Sequence, residues 1–233
     1  MKIGLLGYGK MGKVIERIAQ ERGHEIVARI NKDDSKNDLE KSDVVIEFTA
    51  PESALENLKY CINKQIPIIC GTTGWNSSIE EIYKLVSDQN AALVHASNFS
   101  LGVNLFFELN KRLAALMEPF EDYQLAVQEI HHTEKADAPS GTAITLAEGI
   151  MENTHFKGWH LGKENEKDSI GIEALREHDV KGTHLVSWNS DVDQIEIKHT
   201  AHSRDGFALG AVIAAEWLLD KKGSFTMKDV LGL

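Results

Sequence analysis

The chain has 233 residues, 42% hydrophobic and 26% charged, enough to bury a sizeable core in one large domain or two small ones. Its formal net charge of −11 argues against nucleic acid as a partner, because non-specific binding needs a basic face. No apolar run approaches the roughly 18 residues of a membrane span and no secretory pattern opens the chain, so a cytoplasmic protein without membrane contact is expected.

Met1 to Leu6 is a short apolar strand, and Gly7-Tyr8-Gly9-Lys10-Met11-Gly12 follows at once. Met11, Val14, Ile15, Ile18 and Ala19 then mark one face of a helix that Gly23 stops. A lone G-x-G-x-x-G is weak, but between a strand and a helix each glycine has a task. Gly7 permits the tight turn, Gly9 lets a pyrophosphate approach the backbone, and Gly12 lets the helix pack on the strand. The free N–H groups of the helix start complete a phosphate site.

Glu25 to Ile30 is the second strand. The acid expected about 20 residues past the glycine turn, which would bind ribose hydroxyls, is replaced by Asn31-Lys32. Asn31 can hydrogen-bond a hydroxyl, and Lys32 either pairs with a 2′-phosphate or is a solvated loop lysine. NADPH, or use of both NADPH and NADH, is therefore favoured over strict NADH.

Asp33 to Ser42 leaves room for two helical turns at most, a trimmed crossover before the strand Asp43 to Phe48. A helix from Thr49-Ala-Pro-Glu52 to about Asn63 leads to a buried strand, Ile66 to Cys70. Cys61 and Cys70 are too few for a disulfide framework and read as reduced, buried thiols. Gly71-Thr72-Thr73-Gly74 sits at that strand's carboxyl end, where open parallel sheets bind ligands. Ser78-Ile-Glu-Glu81 has the form of a capping box for a helix to Gln89. A fifth strand, Ala91 to His95, runs into Ala96-Ser97-Asn98-Phe99. This alternation predicts a parallel sheet with helices on both faces, a Rossmann-like nucleotide domain with these loops on one rim.

Gly102 to Met117 has a helical apolar pattern that would link two lobes. Tyr123 to Ile130, Ile170 to Leu175, Gly182 to Trp188 and Gln194 to His199 read as strands of a mixed or antiparallel sheet with helices on one face. Asn153 to Lys167 is irregular and polar, a candidate mobile loop. Phe207 to Leu219 is an apolar helix expected to return to the first lobe. The expected division is a discontinuous dinucleotide-binding domain, 1–102 and 205–233, around an α+β substrate-binding and oligomerisation domain, 103–204.

The chain's densest set of proton-handling groups is Glu129-Ile-His-His-Thr-Glu-Lys-Ala-Asp-Ala-Pro-Ser-Gly-Thr-Ala143, between a strand and the helical pattern Ala143 to Met151. Adjacent histidines rarely chelate one metal, and no H-x-x-x-H or C-x-x-C accompanies them, so no metal is expected. A satisfied structural pair and acid–base work both remain open for His131 and His132; Lys135, four residues on, adds positive charge. Ser140 can cap the helix, leaving the N–H groups of Gly141 and Thr142 for an anion. Together these describe a pocket for a carboxylate that also receives a proton.

The same stretch closely resembles the central motif of the 4-hydroxy-tetrahydrodipicolinate reductases, the dihydrodipicolinate reductases of lysine and diaminopimelate biosynthesis. Gly7 to Gly12, Gly71 to Gly74, Ala96 to Asn104 and Ile197-Lys-His-Thr-Ala-His-Ser-Arg204 fall in the family's order, so the resemblance spans nearly the whole chain. It implies hydride transfer from NADPH or NADH to C4 of a small cyclic imine dicarboxylate. In that scheme His131 is general acid/base, Lys135 the proton donor, and His132, Ser140, Gly141 and Thr142 bind substrate. Gly7 to Gly12, Gly71 to Thr73 and Ala96 to Phe99 hold the dinucleotide, and the assembly is a homotetramer. A catalytically silent dinucleotide sensor and a reductase of another small cyclic imine dicarboxylate are the competing expectations. The intact His131 and Lys135 speak against the first.

Overall fold

A computed structural model describes residues 1–233, which form two compact units, Met1–Leu101 with Arg204–Leu233, and Gly102–Ser203. The first unit opens with β1 (Lys2–Leu6), α1 (Lys10–Glu21) and β2 (Glu25–Ile30). A single 3-10 turn, Asn37–Lys41, is all that the short crossover holds before β3 (Val44–Glu47), with Leu39 buried beneath it. Next come α2 (Pro51–Asn63), β4 (Ile68–Cys70), α3 (Ile79–Asp88) and β5 (Ala92–His95). Pro51 stands in the first turn of α2, where its missing N–H costs nothing.

The second unit contains α4 (Leu101–Met117, its first residue belonging to the first unit), β6 (Gln124–His131), α5 (Gly141–Met151) and β7 (Gly158–Leu161). It ends with β8 (Ser169–Arg176), β9 (Thr183–Asn189) and β10 (Gln194–Thr200). Its sheet has the order β10-β9-β6-β8-β7 and is mixed, with β6, β8 and β7 mutually parallel and β9 and β10 antiparallel. Period-two alternation sends Leu125, Val127, Glu129 and His131 of β6 to one face, and all four are buried. Leu125 and Val127 pack with Phe106 and Ala114 of α4 and with Ala143, Leu146 and Ile150 of α5. The same face therefore begins as apolar core and ends as a polar site.

The chain returns to the first unit with α6 (Asp205–Leu218), β11 (Gly223–Phe225) and α7 (Met227–Leu231). The first unit's sheet is wholly parallel in the order β11-β5-β4-β3-β1-β2. Chain direction across the sheet reverses between β1 and β3, the topological switch point where such sheets bind ligands. Ala208, Ala211, Val212 and Ala215 of α6 join Ile3, Leu5 and Ile15 in one core, while α2 and α3 cover the other sheet face through Leu58, Ile62, Ile82 and Val86.

Three local expectations need correction. Ser78 caps nothing with its side chain: a 3-10 turn, Asn76–Ser78, runs straight into α3, so Ser78 has ψ near 10° instead of extended cap geometry. The stretch 153–167 is not irregular throughout. It carries β7 and buries Phe156, and because β7 lies on the sheet edge its residues do not alternate cleanly. At the end of the chain, β11 and α7 went unread; α7 is short, but Thr226 and Asp229 form a full capping box.

α6 approaches the loop after β5 so closely that a Cβ at Gly210 would lie 1.7 Å from the Phe99 carbonyl oxygen. Gly210→Ala is expected to cost about 3 kcal/mol or more in urea unfolding, since backbone on both sides must move. A loss below about 1 kcal/mol would show that α6 can shift freely.

Candidate active site

In the first unit, the glycine turn follows β1 at the switch point. Gly7 has φ +89°, and a Cβ there would strike the Phe48 carbonyl oxygen at 2.0 Å. A Cβ at Gly12 would lie 2.4 Å from the Gly7 carbonyl, so this glycine sets how closely α1 meets the turn. Gly9 differs, because nothing stands within 4 Å of its would-be Cβ and no side chain caps α1. Open space before uncapped helix N–H groups fits a pyrophosphate. Gly71 packs its α-carbon on the Phe48 ring, and Thr49 donates its amide to Thr72 Oγ1 at 2.8 Å. Phe48 and Thr49, which sequence reading left without a role, thus join the glycine turn to the Gly71-Thr72-Thr73 loop.

Several first-unit side chains are already engaged. Asn31 accepts the Tyr8 amide through Oδ1 at 3.1 Å, while Lys32 is exposed. The Tyr8 hydroxyl and Arg29 both bond Glu16, and the Arg29 guanidinium sits 5.7 Å from the Tyr8 ring centre. Lys10 and Ser97 are exposed, as is Thr73, and Met11 and Ala96 are half-buried beside the core. Asn98 accepts the Ser100 amide. Phe99 is buried in the core, so only its backbone is open to a dinucleotide. Thr72 is likewise buried.

In the second unit, β6 delivers Glu129 and His131 to one spot, and the register of β9 and β8 sets His184 opposite Glu129 and Arg176 opposite His131. Glu129 is fully buried. Its two oxygens each accept the Ser140 amide at 3.1 Å. His131 Nδ1, His184 Nε2 and Arg176 Nη1 stand at 3.5, 3.6 and 3.6 Å. Burial pushes the Glu129 carboxyl up, but the Ser140 hydrogen bond and the close imidazoles of His184 and His131 bring it from 4.5 to about 2. Burial lowers the His131 imidazole from 6.5 to about 4; Glu129 opposes this, whereas His184, Lys135 and Arg176 reinforce it. At neutral pH the core of the site is a carboxylate beside a neutral His131.

Glu129, His131 and His184 bring ligand atoms within 4.8 Å of one another. The donor set suits a divalent ion, but its carboxylate is already met by the Ser140 N–H and the Arg176 guanidinium.

Ser140 caps α5 by accepting the Ala143 amide at 3.2 Å, and Ile144 bonds the Ser140 carbonyl. The Gly141 and Thr142 amides are the remaining first-turn donors, at an exposed and a half-buried residue. Lys135 is not aimed freely at this helix start: its Nζ contacts both Asp137 oxygens at 2.7 and 2.8 Å. That pairing lowers the Asp137 carboxyl. Arg176 holds the loop by donating to the carbonyls of Lys135 at 3.3 Å and Asp137 at 2.6 Å. His132 Nδ1 is buried without a partner. Sequence reading missed Arg176 and His184 altogether and gave Glu129 no role, although Glu129 shares the His131 face by simple alternation.

The models of the dihydrodipicolinate reductase N-terminus and C-terminus match residues 1–99 and 102–231. The chain belongs to the dihydrodipicolinate reductase family. The 4-hydroxy-tetrahydrodipicolinate reductase of Christiangramia forsetii is 51% identical over 99% of this chain and 98% of its own length. Among solved structures, the dipicolinate-bound dihydrodipicolinate reductase from Paenisporosarcina sp. TG-14 aligns with a TM-score of 0.77 at 21% identity, covering 97% of each chain. An amine dehydrogenase from Mycobacterium smegmatis aligns with a TM-score of 0.61 at 10% identity, covering 97% of this chain and 94% of its own. These last two likenesses concern the fold.

The two shifts carry a pH signature of one sign. A group whose folded pKa is depressed stabilises above its unfolded value and loses that contribution as pH falls through the folded value. His131 therefore destabilises the dihydrodipicolinate reductase fold from about pH 6.5 down to about 4, and Glu129 from about 4.5 down to about 2. Urea unfolding between pH 7 and pH 4.5 should cost wild type roughly 2–3 kcal/mol more than His131→Gln. Equal losses would mean that His131 titrates normally in the folded protein.

Proposed function

We propose that the chain reduces 4-hydroxy-tetrahydrodipicolinate (dihydrodipicolinate) to tetrahydrodipicolinate in lysine and diaminopimelate biosynthesis, using NADPH or NADH. The observation that carries this is the 51% identity across 99% of the chain with a 4-hydroxy-tetrahydrodipicolinate reductase. The dinucleotide is assigned to Gly7 to Gly12, Asn31, Lys32, Gly71 to Thr73 and Ala96 to Phe99, with phosphates at Gly9 and the start of α1. The open space at Gly9 supports that assignment. When bound, the reduced nicotinamide would supply a hydride to C4 of the conjugated imine that remains once the 4-hydroxyl has left as water. An exposed Lys32 supports a contact with the NADPH 2′-phosphate, while the Asn31 Nδ2 group remains for a ribose hydroxyl.

The substrate's carboxylates are assigned to His132, Ser140 and the amides of Gly141 and Thr142. The helix start favours negative charge, and Lys135 and Arg176 add local cations to an otherwise acidic protein. Electron density that builds towards the imine side is met by these cations and quenched by a proton from Lys135, with His131 as general acid/base. Asp137 keeps the Lys135 ammonium paired until a substrate carboxylate approaches.

The chain is further assigned to a homotetramer. α4 and α5 cover one face of the second unit's sheet. On its other face Gln124, Gln128, Glu173, Leu185 and Asn189 line a hollow of about 660 Å³, a surface suited to a second copy. A cytoplasmic location agrees with two buried free thiols, of which Cys61 is pushed up to about 12 by burial.

The test couples a dihydrodipicolinate synthase to the protein and follows nicotinamide absorbance; no oxidation of either NADPH or NADH would overturn the assignment. His131→Gln and Lys135→Ala should each lower kcat roughly 100-fold or more with dinucleotide binding kept. Equal loss of both properties would instead indicate misfolding. Gly9→Ala should leave stability within about 0.5 kcal/mol yet weaken dinucleotide binding about tenfold; unchanged affinity would remove the phosphates from Gly9. Lys32→Ala should weaken NADPH about two- to fivefold relative to NADH, and an unchanged ratio would discard the 2′-phosphate contact.

A further inference from the structure

We propose that Glu129 is the positioning carboxylate of the reaction: it holds the His131 ring with its hydrogen on Nδ1, leaving Nε2 as the proton-exchanging atom, and through the Ser140 amide it ties that ring to the anion-binding helix start. The role of His131 rests on the reductase reading above.

His131 Nδ1 is sealed from solvent without a hydrogen-bond partner, whereas Nε2 is not. A buried polar nitrogen left unpaired is costly, because the hydration it lost is not replaced. The acceptor that faces Nδ1 is Glu129 Oε2 at 3.5 Å, a small side-chain movement from a hydrogen bond. An ionised carboxylate accepts only, so the hydrogen belongs on Nδ1. On the other flank, Gly182 presents no side chain, and a Cβ there would come within 3.2 Å of Nε2. The ring is therefore gripped at one nitrogen and left room at the other.

The rest of Glu129's surroundings fixes the carboxylate itself. Ser140 donates its amide to both oxygens, His184 stands edge-on to the His131 ring with centroids 5.0 Å apart, and Arg176 flanks from β8. His184 Nε2 is also 3.1 Å from Ser140 Oγ, the atom that caps α5. With β6, β8, β9 and α5 all represented, movement of the carboxylate would disturb the proton site and the anion site together. A merely structural acid would account for the Ser140 bond. It would not account for a buried Nδ1 facing that same acid.

The experiment is nitrogen NMR of protein labelled with ¹⁵N-histidine, with His131 assigned by its loss in His131→Gln. Wild type should show a neutral His131 carrying its hydrogen on Nδ1; hydrogen on Nε2 would overturn the proposal. In Glu129→Gln the amide oxygen can still accept from Ser140, but the amide NH₂ donates to Nδ1 and moves the ring hydrogen to Nε2. The tautomer should therefore flip, kcat should fall at least about tenfold, and KM for the dicarboxylate should change by less than about threefold. Unchanged tautomer and kcat in a folded Glu129→Gln would overturn it while leaving the reductase reading intact. If Glu129→Gln does not fold, the wild-type tautomer decides. A wild type inactive towards dihydrodipicolinate sinks the reductase reading, and the tautomer still decides the geometry of Glu129 and His131.

Discussion

A carboxylate with no solvent exposure must be compensated where it stands, and Glu129 is compensated from four elements at once. Isolated burial of such a charge costs several kcal/mol even after relaxation, so the fold must supply donors whose positions are not negotiable. They come as a backbone amide at the start of α5, an imidazole on β9, a guanidinium on β8 and the neighbouring imidazole on β6. The strand register that satisfies Glu129 is thus the register that assembles the site. Shifting β6 by one residue would exchange Glu129 and His131 for Gln128 and Ile130 on the helix-covered face.

Phe48 plays the corresponding part in the first unit. Its carbonyl lies against Gly7 and its ring against Gly71, so two loops from non-adjacent strands are set by one residue at the end of β3. Glu47 beneath it is fully buried, taking hydrogen bonds from Thr49 and from the Cys70 thiol at 3.2 Å. The glycines are needed because backbone and ring occupy the space that a Cβ would fill. A rim of closely approaching loops can be narrow only if its own side chains are absent or turned inward, and Thr72 and Phe99 are both turned inward.

What the sequence made legible follows from how local each signal is. The glycine turn, the alternation of β6 and the capping Ser140 are each written in consecutive residues, and the parallel sheet follows from strands and helices in alternation. Arg176 and His184 left no such trace, because each meets Glu129 through strand pairing across tens of residues. β7 and β11 are short edge strands, four and three residues long, with no second half-buried face to impose a pattern. Ser78 misled because a capping box presumes that the chain enters the helix extended, whereas here it enters already turning.

The net charge of −11 poses a problem that the second unit resolves locally. A dianionic ligand is repelled by the protein as a whole, so attraction must come from groups within a few ångströms, where nearby charge outweighs the screened field of distant acids. Lys135 and Arg176 belong to the same site as the α5 start, where Ser140 caps the Ala143 amide and leaves those of Gly141 and Thr142, but cations without anions would bind stray carboxylates. Asp137 answers this difficulty by occupying the Lys135 ammonium while Arg176 grips the Asp137 carbonyl. The exposed Asp137 pair is weak, because solvent screens it, and on the proposed reading it would yield to a ligand that brings two carboxylates and the helix amides into play together. Glu129 cannot be displaced in this way, since it has no solvent to retreat to. On the proposed reading the site combines one exchangeable ion pair, which would meet the ligand, with one permanent buried charge beside the ring of His131.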